Sequence, residues 1–290
     1  MIPDGETNCL YLADTLSKKH PSFFKQFQQA LYRCGITPRI LPNTKDIWAV
    51  DYMPVQVSKD RFVQFTYNPD YLRNDPEGRA TISDVDSICK AIGLKPTKSS
   101  ILVDGGNVVR TANKVIMCDK VFKENDGIGR LELTRRLENL FQVDEIIFIP
   151  THPLDTFGHA DGVVRFLDDD TVLVNDFDEK KEDDPFPLQL RSTLRRQGLE
   201  YIEVPSNPYS NTEDDDASGE YLNFLQMKGV IVLPEYGMDE DGKVVKLFEE
   251  LLQGHTIATV KSNVIAKEGG VLNCVTWKVQ TGAGVLSLRC

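Results

Sequence analysis

The segment Glu268-Gly269-Gly270-Val271-Leu272-Asn273-Cys274-Val275-Thr276 sets a thiol within an apolar run, just after a glycine pair. Glycine lets a backbone turn sharply or approach a ligand closely, and a thiol at such a place can reach a pocket. Sulfur attacks only as thiolate, so it needs a base or a cation beside it. A lone cysteine is more often a small core hydrophobe. Cys274 rises above that reading because the chain also carries Asp155-Thr156-Phe157-Gly158-His159-Ala160-Asp161-Gly162, a histidine and two carboxylates opening onto the apolar run 163–166. If that stretch is extended, His159 and Asp161, two residues apart, project from one face.

Two further polar clusters interrupt apolar runs. Asp51 lies in Trp48-Ala49-Val50-Asp51-Tyr52-Met53-Pro54, and Asp104 in Val103-Asp104-Gly105-Gly106-Asn107. A carboxylate in such surroundings is costly without a partner or a task. Turn or capping roles would also explain both acids. Trp48 and Tyr221 suit packing as well as pocket lining, and Arg165 suits either a substrate carboxylate or a counter-charge for the acids. His152, Asp155, His159 and Asp161 lie close enough in sequence to suggest a metal. No second cluster or cysteine pair completes such a site, so no metal is expected.

The elements that must carry these residues alternate between short β-type runs and amphipathic stretches, the pattern of an α/β protein. Strands are predicted at 10–13, 38–41, 49–57, 61–65, 101–103, 107–111, 114–117, 145–149, 163–166, 171–175, 201–204, 229–233, 256–260 and 271–279. Helices are predicted at 22–32, 82–91, 129–140, 188–197 and 242–252. Short turns join several strand pairs, so two strands followed by a helix and a strand recur. No long Pro/Gly/Ser linker divides the chain, and residues 1–290 read as one domain. The acidic stretches 176–184 and 213–216 read as solvated loops.

Of 290 residues, 41% are apolar and 27% charged, an ordinary balance for a well-cored protein. No run approaches the roughly 18 apolar residues of a membrane span, and the N-terminus lacks a basic region followed by an apolar one. A cytoplasmic protein is the expectation. The six cysteines are scattered with no C-x-x-C pair. A net charge of −11 disfavours nucleic acid as a partner and favours cationic ligands. Nothing in the pattern specifies an oligomeric state.

Taken in order, Trp48-x-x-Asp51 with Pro54, Asp104-Gly105-Gly106-Asn107, Asp155-Thr156-x-Gly158-His159-x-Asp161 with Arg165-Phe166, Tyr221-x-Asn223-Phe224 and Gly269-Gly270 before Cys274 resemble the agmatine deiminase and bacterial peptidylarginine deiminase family. This family lies within the guanidine-modifying pentein superfamily. The resemblance covers about residues 46–280. It implies an α/β propeller of five ββαβ-like units around a pseudo-fivefold axis, with the site in the central channel. It also implies Cys274 as nucleophile, His159 as general acid/base, Asp51 and Asp161 as the clasp for the guanidinium, and Asp104 as the acid beside the histidine. Trp48, Asn107, Arg165, Tyr221 and Gly270 are the expected substrate-binding positions.

Such a set suits hydrolysis of a guanidinium, which is planar, cationic and too resonance-stabilised for water to attack readily. Paired carboxylates would hold its N–H fork, and that cation, with a protonated His159, would favour the thiolate. Attack by sulfur, loss of ammonia and hydrolysis of the thiouronium would give a ureido product with no cofactor. A small cationic guanidine such as agmatine, or an arginyl peptide, is the expected partner. The chain departs from the family at Val50, where arginine is usual, and at Asn273, where histidine is typical. An amidinotransferase, a dihydrolase, or a pentein that binds a cation without turnover are the alternatives.

Overall fold

In this computed structural model, described for all residues except 154, 178–183, 209–210, 212–214 and 283–290, the strands group into five three-stranded sheets. The first sheet joins β1 (Cys9–Ala13) and β2 (Arg39–Leu41). The second holds β3 (Val55–Ser58), β4 (Arg61–Thr66) and β5 (Thr97–Leu102), and the third β6 (Val109–Arg110), β7 (Lys114–Cys118) and β8 (Glu145–Ile149). The fourth holds β9 (Val164–Phe166), β10 (Thr171–Asn175) and β11 (Glu200–Val204), and the fifth β12 (Leu225–Met227), β13 (Val230–Glu235) and β14 (Thr256–Lys261). The last strand, β15 (Thr276–Val279), returns to complete the first sheet beside β1.

Every sheet follows one rule. Its middle strand pairs antiparallel with one neighbour and parallel with the other. A short turn suffices for the antiparallel pair, whereas the parallel partner requires a crossover, and helices supply it. The helix Pro21–Arg33 shows why those crossovers form where they do. Phe23, Phe27, Ala30 and Leu31 recur at helical spacing and are the residues it buries. They pack with Leu10 and Leu12 of β1 and with β13 in one core cluster. The expected five-unit α/β architecture is the observed one.

Short helices at Asp14–Lys19, Asp70–Arg73, Pro76–Thr81, Lys120–Glu124 and Asn263–Ala266 were not predicted, and the differences that bear on the site fall in one kind of place. The run 49–57 divides into a helical turn, Ala49–Tyr52, and β3. Pro54 ends that turn by forcing Met53 into the extended region. Residues 107–111 hold the end of a 3-10 turn, Gly105–Asn107, and only a two-residue strand. Likewise 271–279 is a turn followed by β15, so Cys274 stands on the turn before the strand. β12 escaped prediction because three residues carry too little periodicity. The acidic stretches 176–184 and 213–216 lie largely outside the described residues.

Candidate active site

The segment leading into the first strand of each unit is where the polar clusters lie. Asp51 precedes β3, Asp104 precedes β6, His159 and Asp161 precede β9, Asn223 precedes β12, and Cys274 precedes β15. The turn bearing Asp51 packs against Gly105–Asn107, and that turn packs against Ala160–Gly162. Five equivalent positions thus bring residues more than two hundred apart in sequence to one axis.

Two glycines make this convergence possible. A Cβ on Gly105 would lie 1.9 Å from the Val50 carbonyl oxygen. One on Gly106 would lie 2.7 Å from both Asp51 Oδ1 and His159 Nδ1. The Asp-Gly-Gly-Asn sequence is therefore the condition for the backbone to press against the site. Gly106 N–H uses the closeness to donate to Asp51 Oδ1 at 2.9 Å.

His159 stands between two carboxylates. Its Nε2 is 3.0 Å from Asp104 Oδ2, and its Nδ1 is 3.6 Å from Asp51 Oδ1. Tyr71 donates its hydroxyl to the same Asp104 oxygen at 3.2 Å and sets its ring edge-on to the imidazole. Burial alone would drive His159 neutral, but Asp51, Asp104 and Asp161 outweigh it and raise its pKa to about 10. For Asp51, burial dominates over the nearby imidazolium, and Asp104 and Asp161 add to it, lifting the carboxyl to about 7.

Around the thiol, Asn223 acts as a cradle. Its Oδ1 accepts the backbone N–H groups of Val271, Asn273 and Cys274 at 3.1 to 3.2 Å, and its Nδ2 donates to Cys274 Sγ at 3.1 Å. Asp161 Oδ2 lies 3.8 Å from Sγ and accepts from Asn273 Nδ2 at 2.6 Å. Burial, then Asp161 and Asp51, push the thiol well above its ordinary pKa, with Asn223 opposing them. The expected help from a protonated His159 is not what surrounds Sγ. Its hydrogen-bond partners are Asn223 and Asp161, surroundings that favour the protonated thiol.

A cavity of about 340 Å³ opens onto Cys274, His159, Asp161, Asn223 and Gly270. A Cβ on Gly270 would sit 3.1 Å from Sγ and 2.7 Å from the Trp48 ring, so this glycine leaves the thiol room and brings Trp48 close behind it. Three residues expected to bind substrate have their polar groups engaged elsewhere. Asn107 exchanges hydrogen bonds with the Cys118 backbone on β7. Tyr221 is fully buried, and its hydroxyl donates to Asp241. Arg165 points to the opposite end of the axis, where it meets Asp4 at 3.0 Å and the carbonyls of Leu222 and Phe224.

The four residues that suggested a metal do not converge. Asp155 caps the turn at Phe157 and Gly158, while His152 faces Asp184 at 3.3 Å. Asn223 and Tyr71 are site residues that the sequence did not single out for chemistry. Asn223 stood inside a recognised motif, and its place before β12 was the available signal. Tyr71 gave none.

Known proteins share this fold and part of this sequence. The chain is 24% identical over 206 residues to the agmatine deiminase of Pseudomonas aeruginosa strain UCBPP-PA14, an alignment covering 61% of this chain and 55% of that relative. It is 23% identical over 277 residues to the agmatine deiminase of Stutzerimonas stutzeri strain A1501, covering 81% and 74%. The first of these matches thus spans little more than half the relative's length. Among solved structures, C. jejuni agmatine deiminase superposes with a TM-score of 0.82 at 18% identity, covering 97% of this chain and 96% of that one. The DDAH of Pseudomonas aeruginosa superposes at 0.56 with 8% identity, covering 94% and 99%. The family model that matches runs from residue 14 to 279, from the first helix to the end of β15. It therefore takes in all five pre-strand segments, and the chain belongs to the Porphyromonas-type peptidyl-arginine deiminase family.

Proposed function

We propose that this protein hydrolyses the guanidinium of a small cationic substrate of the agmatine type, releasing ammonia and a ureido product. The observation that carries this reading is the meeting of a thiol, an imidazole and the carboxylates Asp51, Asp104 and Asp161 around one axis. Asp51 and Asp161 take the two edges of the planar cation by charge-assisted hydrogen bonds. Arrival of that cation offsets the negative charge that keeps Cys274 protonated, so the thiol releases its proton to solvent and the thiolate forms when there is something to attack.

Sulfur then adds to the guanidinium carbon. His159 donates its Nδ1 proton to one nitrogen, the C–N bond breaks, and ammonia departs. Nδ1 suits this because at 3.6 Å it is beyond hydrogen-bond range of Asp51, whereas Nε2 is tied to Asp104. The neutral imidazole next takes a proton from water, which attacks the thiouronium carbon. Cleavage of the C–S bond restores Cys274 and yields the ureido compound.

The charge of the cavity supports a substrate whose far end is also positive. Its described lining includes Asp155, Asp184, Asp215, Asp216 and Glu220, and no lysine or arginine. Burial, with Asp155 and Asp216, lifts Glu220 to about 7, as expected of a carboxyl awaiting a positive partner. Free arginine would bring a carboxylate into this field. With agmatine the product is a carbamoylated diamine, one hydrolysis from putrescine. Cys34, Cys89, Cys118 and Cys274, present as thiols, support a reducing, cytoplasmic setting, and closure of the first sheet by β15 supports one catalytic unit over residues 1–290.

Ammonia release from agmatine, arginine and an arginyl peptide, by the wild type and Cys274→Ala in parallel, tests the reading. Release from agmatine that disappears in the variant is expected. Equal release by both proteins would overturn it.

A further inference from the structure

Behind the site, the other end of the axis is filled by a network of buried charge that the proposed chemistry does not use. A cavity of about 190 Å³ there is lined by Asp4, Arg110, Arg165, Asp161 and Asn273, so Asp161 borders both ends. Asp4, on the 3-10 turn Asp4–Glu6, receives Lys278 at 2.9 Å, Arg165 at 3.0 Å and Arg110 at 3.0 Å. Burial alone would raise its carboxyl, but those three cations hold it well below the usual range. Lys278 comes from β15, four residues beyond Cys274, and its side chain is 3% exposed. Its ammonium also donates to Asn273 Oδ1.

We propose that Lys278 is a positioning residue for the reaction, acting through Asn273 on Asp161; the proposal rests on the guanidinium reading above. An ammonium has donors only, so it dictates which end of the Asn273 amide it faces. With the amide oxygen turned to Lys278, the amide nitrogen must face Asp161, where it donates at 2.6 Å. That bond engages Oδ2, the oxygen nearest Cys274 Sγ, and so fixes the angle at which Asp161 meets the substrate. Asp4 in turn anchors Lys278. The chain Asp4, Lys278, Asn273, Asp161 thus runs from the N-terminal turn to the nucleophile. Asp4 lies outside the residues that match the family model, so part of the site's support comes from beyond that match.

The test is a double-mutant cycle of wild type, Lys278→Met, Asn273→Ala and the double variant, with kcat and KM for agmatine measured in each. A misplacement of about 1 Å near the chemistry costs on the order of 10²-fold in rate. Lys278→Met is expected to lower kcat about 10-fold or more, with KM changed less than about 3-fold. In the Asn273→Ala background the same substitution should cost less than about 2-fold, because the intermediary is gone. Lys278→Arg, which keeps a donor-only cation, should recover part of the loss. Multiplicative losses, or equal loss in Lys278→Met and Lys278→Arg with both folded by circular dichroism, would overturn the proposal. If the wild type releases no ammonia, the shift that guanidinium ion causes in the pH–rate curve for iodoacetamide modification of Cys274 serves as the readout in the same four proteins. A shift reduced in Lys278→Met, with no further reduction by that substitution in the Asn273→Ala background, would support the positioning role without the reaction, and an unchanged shift would refute it.

Discussion

Cys274 has a charge problem, and the way it is solved decides how the protein behaves across pH. Its thiol is held above the ordinary range by burial and by two carboxylates, so the free protein should be slow to alkylate at pH 8. A non-reacting guanidinium small enough to leave Sγ accessible should lower the pH at which iodoacetamide modifies Cys274, measured from the pH–rate curve. An unchanged curve would argue against substrate-assisted ionisation. Asp51 makes a complementary case. Its folded pKa of about 7 exceeds the unfolded value of about 3.9, so the native state binds more protons between them, and its ionisation costs stability as pH rises through that window. Asp51→Asn keeps an acceptor for Gly106 but removes the charge. We expect melting temperature at pH 8 to hold or rise, the difference vanishing below about pH 4, while kcat/KM falls by about 10² or more. A large loss of stability at pH 8 would mean that Asp51 is structural.

On the scale of elements, the pre-strand turn is the unit of function, and Asn223 shows how one is built. A single amide oxygen gathers three N–H groups of the turn that presents sulfur, and the amide nitrogen reaches the sulfur itself. Asn223→Asp preserves the acceptor and replaces the donor by negative charge. Activity should fall by about 10² or more, with thermal unfolding shifted only slightly, since the charge is compensated by those N–H groups. Unfolding of the variant at room temperature would show that the donor to sulfur matters to the fold.

The same turns explain what could be read in advance. Helices such as Pro21–Arg33 announced themselves because four buried residues repeat at helical spacing. Cys274, His159, Asp161, Asp51 and Asp104 stood out because polar groups interrupt apolar runs. The turns holding them are three or four residues long, too short for any period to register; those of Asp51 and Cys274 were read as parts of strands, and those of Asp104, His159 and Asp161 as segments beside strands. Arg165, Asn107 and Tyr221 share those motifs yet serve packing and charge balance. A motif records that a residue is needed near the site, and the direction of its side chain is settled by neighbours far away in sequence, such as Asp4.

Across the whole molecule, charge and closure dominate. A net −11 draws a dication toward an acidic cavity, an attraction that salt screens over a Debye length of about 8 to 10 Å. From 20 to 300 mM NaCl, kcat/KM for agmatine should fall several-fold, and that for butylguanidine, which lacks the second charge, distinctly less. Equal salt sensitivity would remove the far-end cation from the account.

Closure of the ring falls to β15, which pairs with β1 and carries Trp277 to its hydrogen bond with Pro54 and its contacts with Tyr11 and Phe62. The nucleophile immediately precedes that strand. A ribosome therefore delivers Cys274 only after the four other units have emerged, and delivers the staple that seals the first sheet a few residues later. A chain that stops before residue 274 lacks both the thiol and the strand that closes the first sheet. During synthesis the thiol and the strand that closes the sheet beside it appear together, so a product that stalls earlier is left with an unpaired edge on β1 and without the proposed nucleophile.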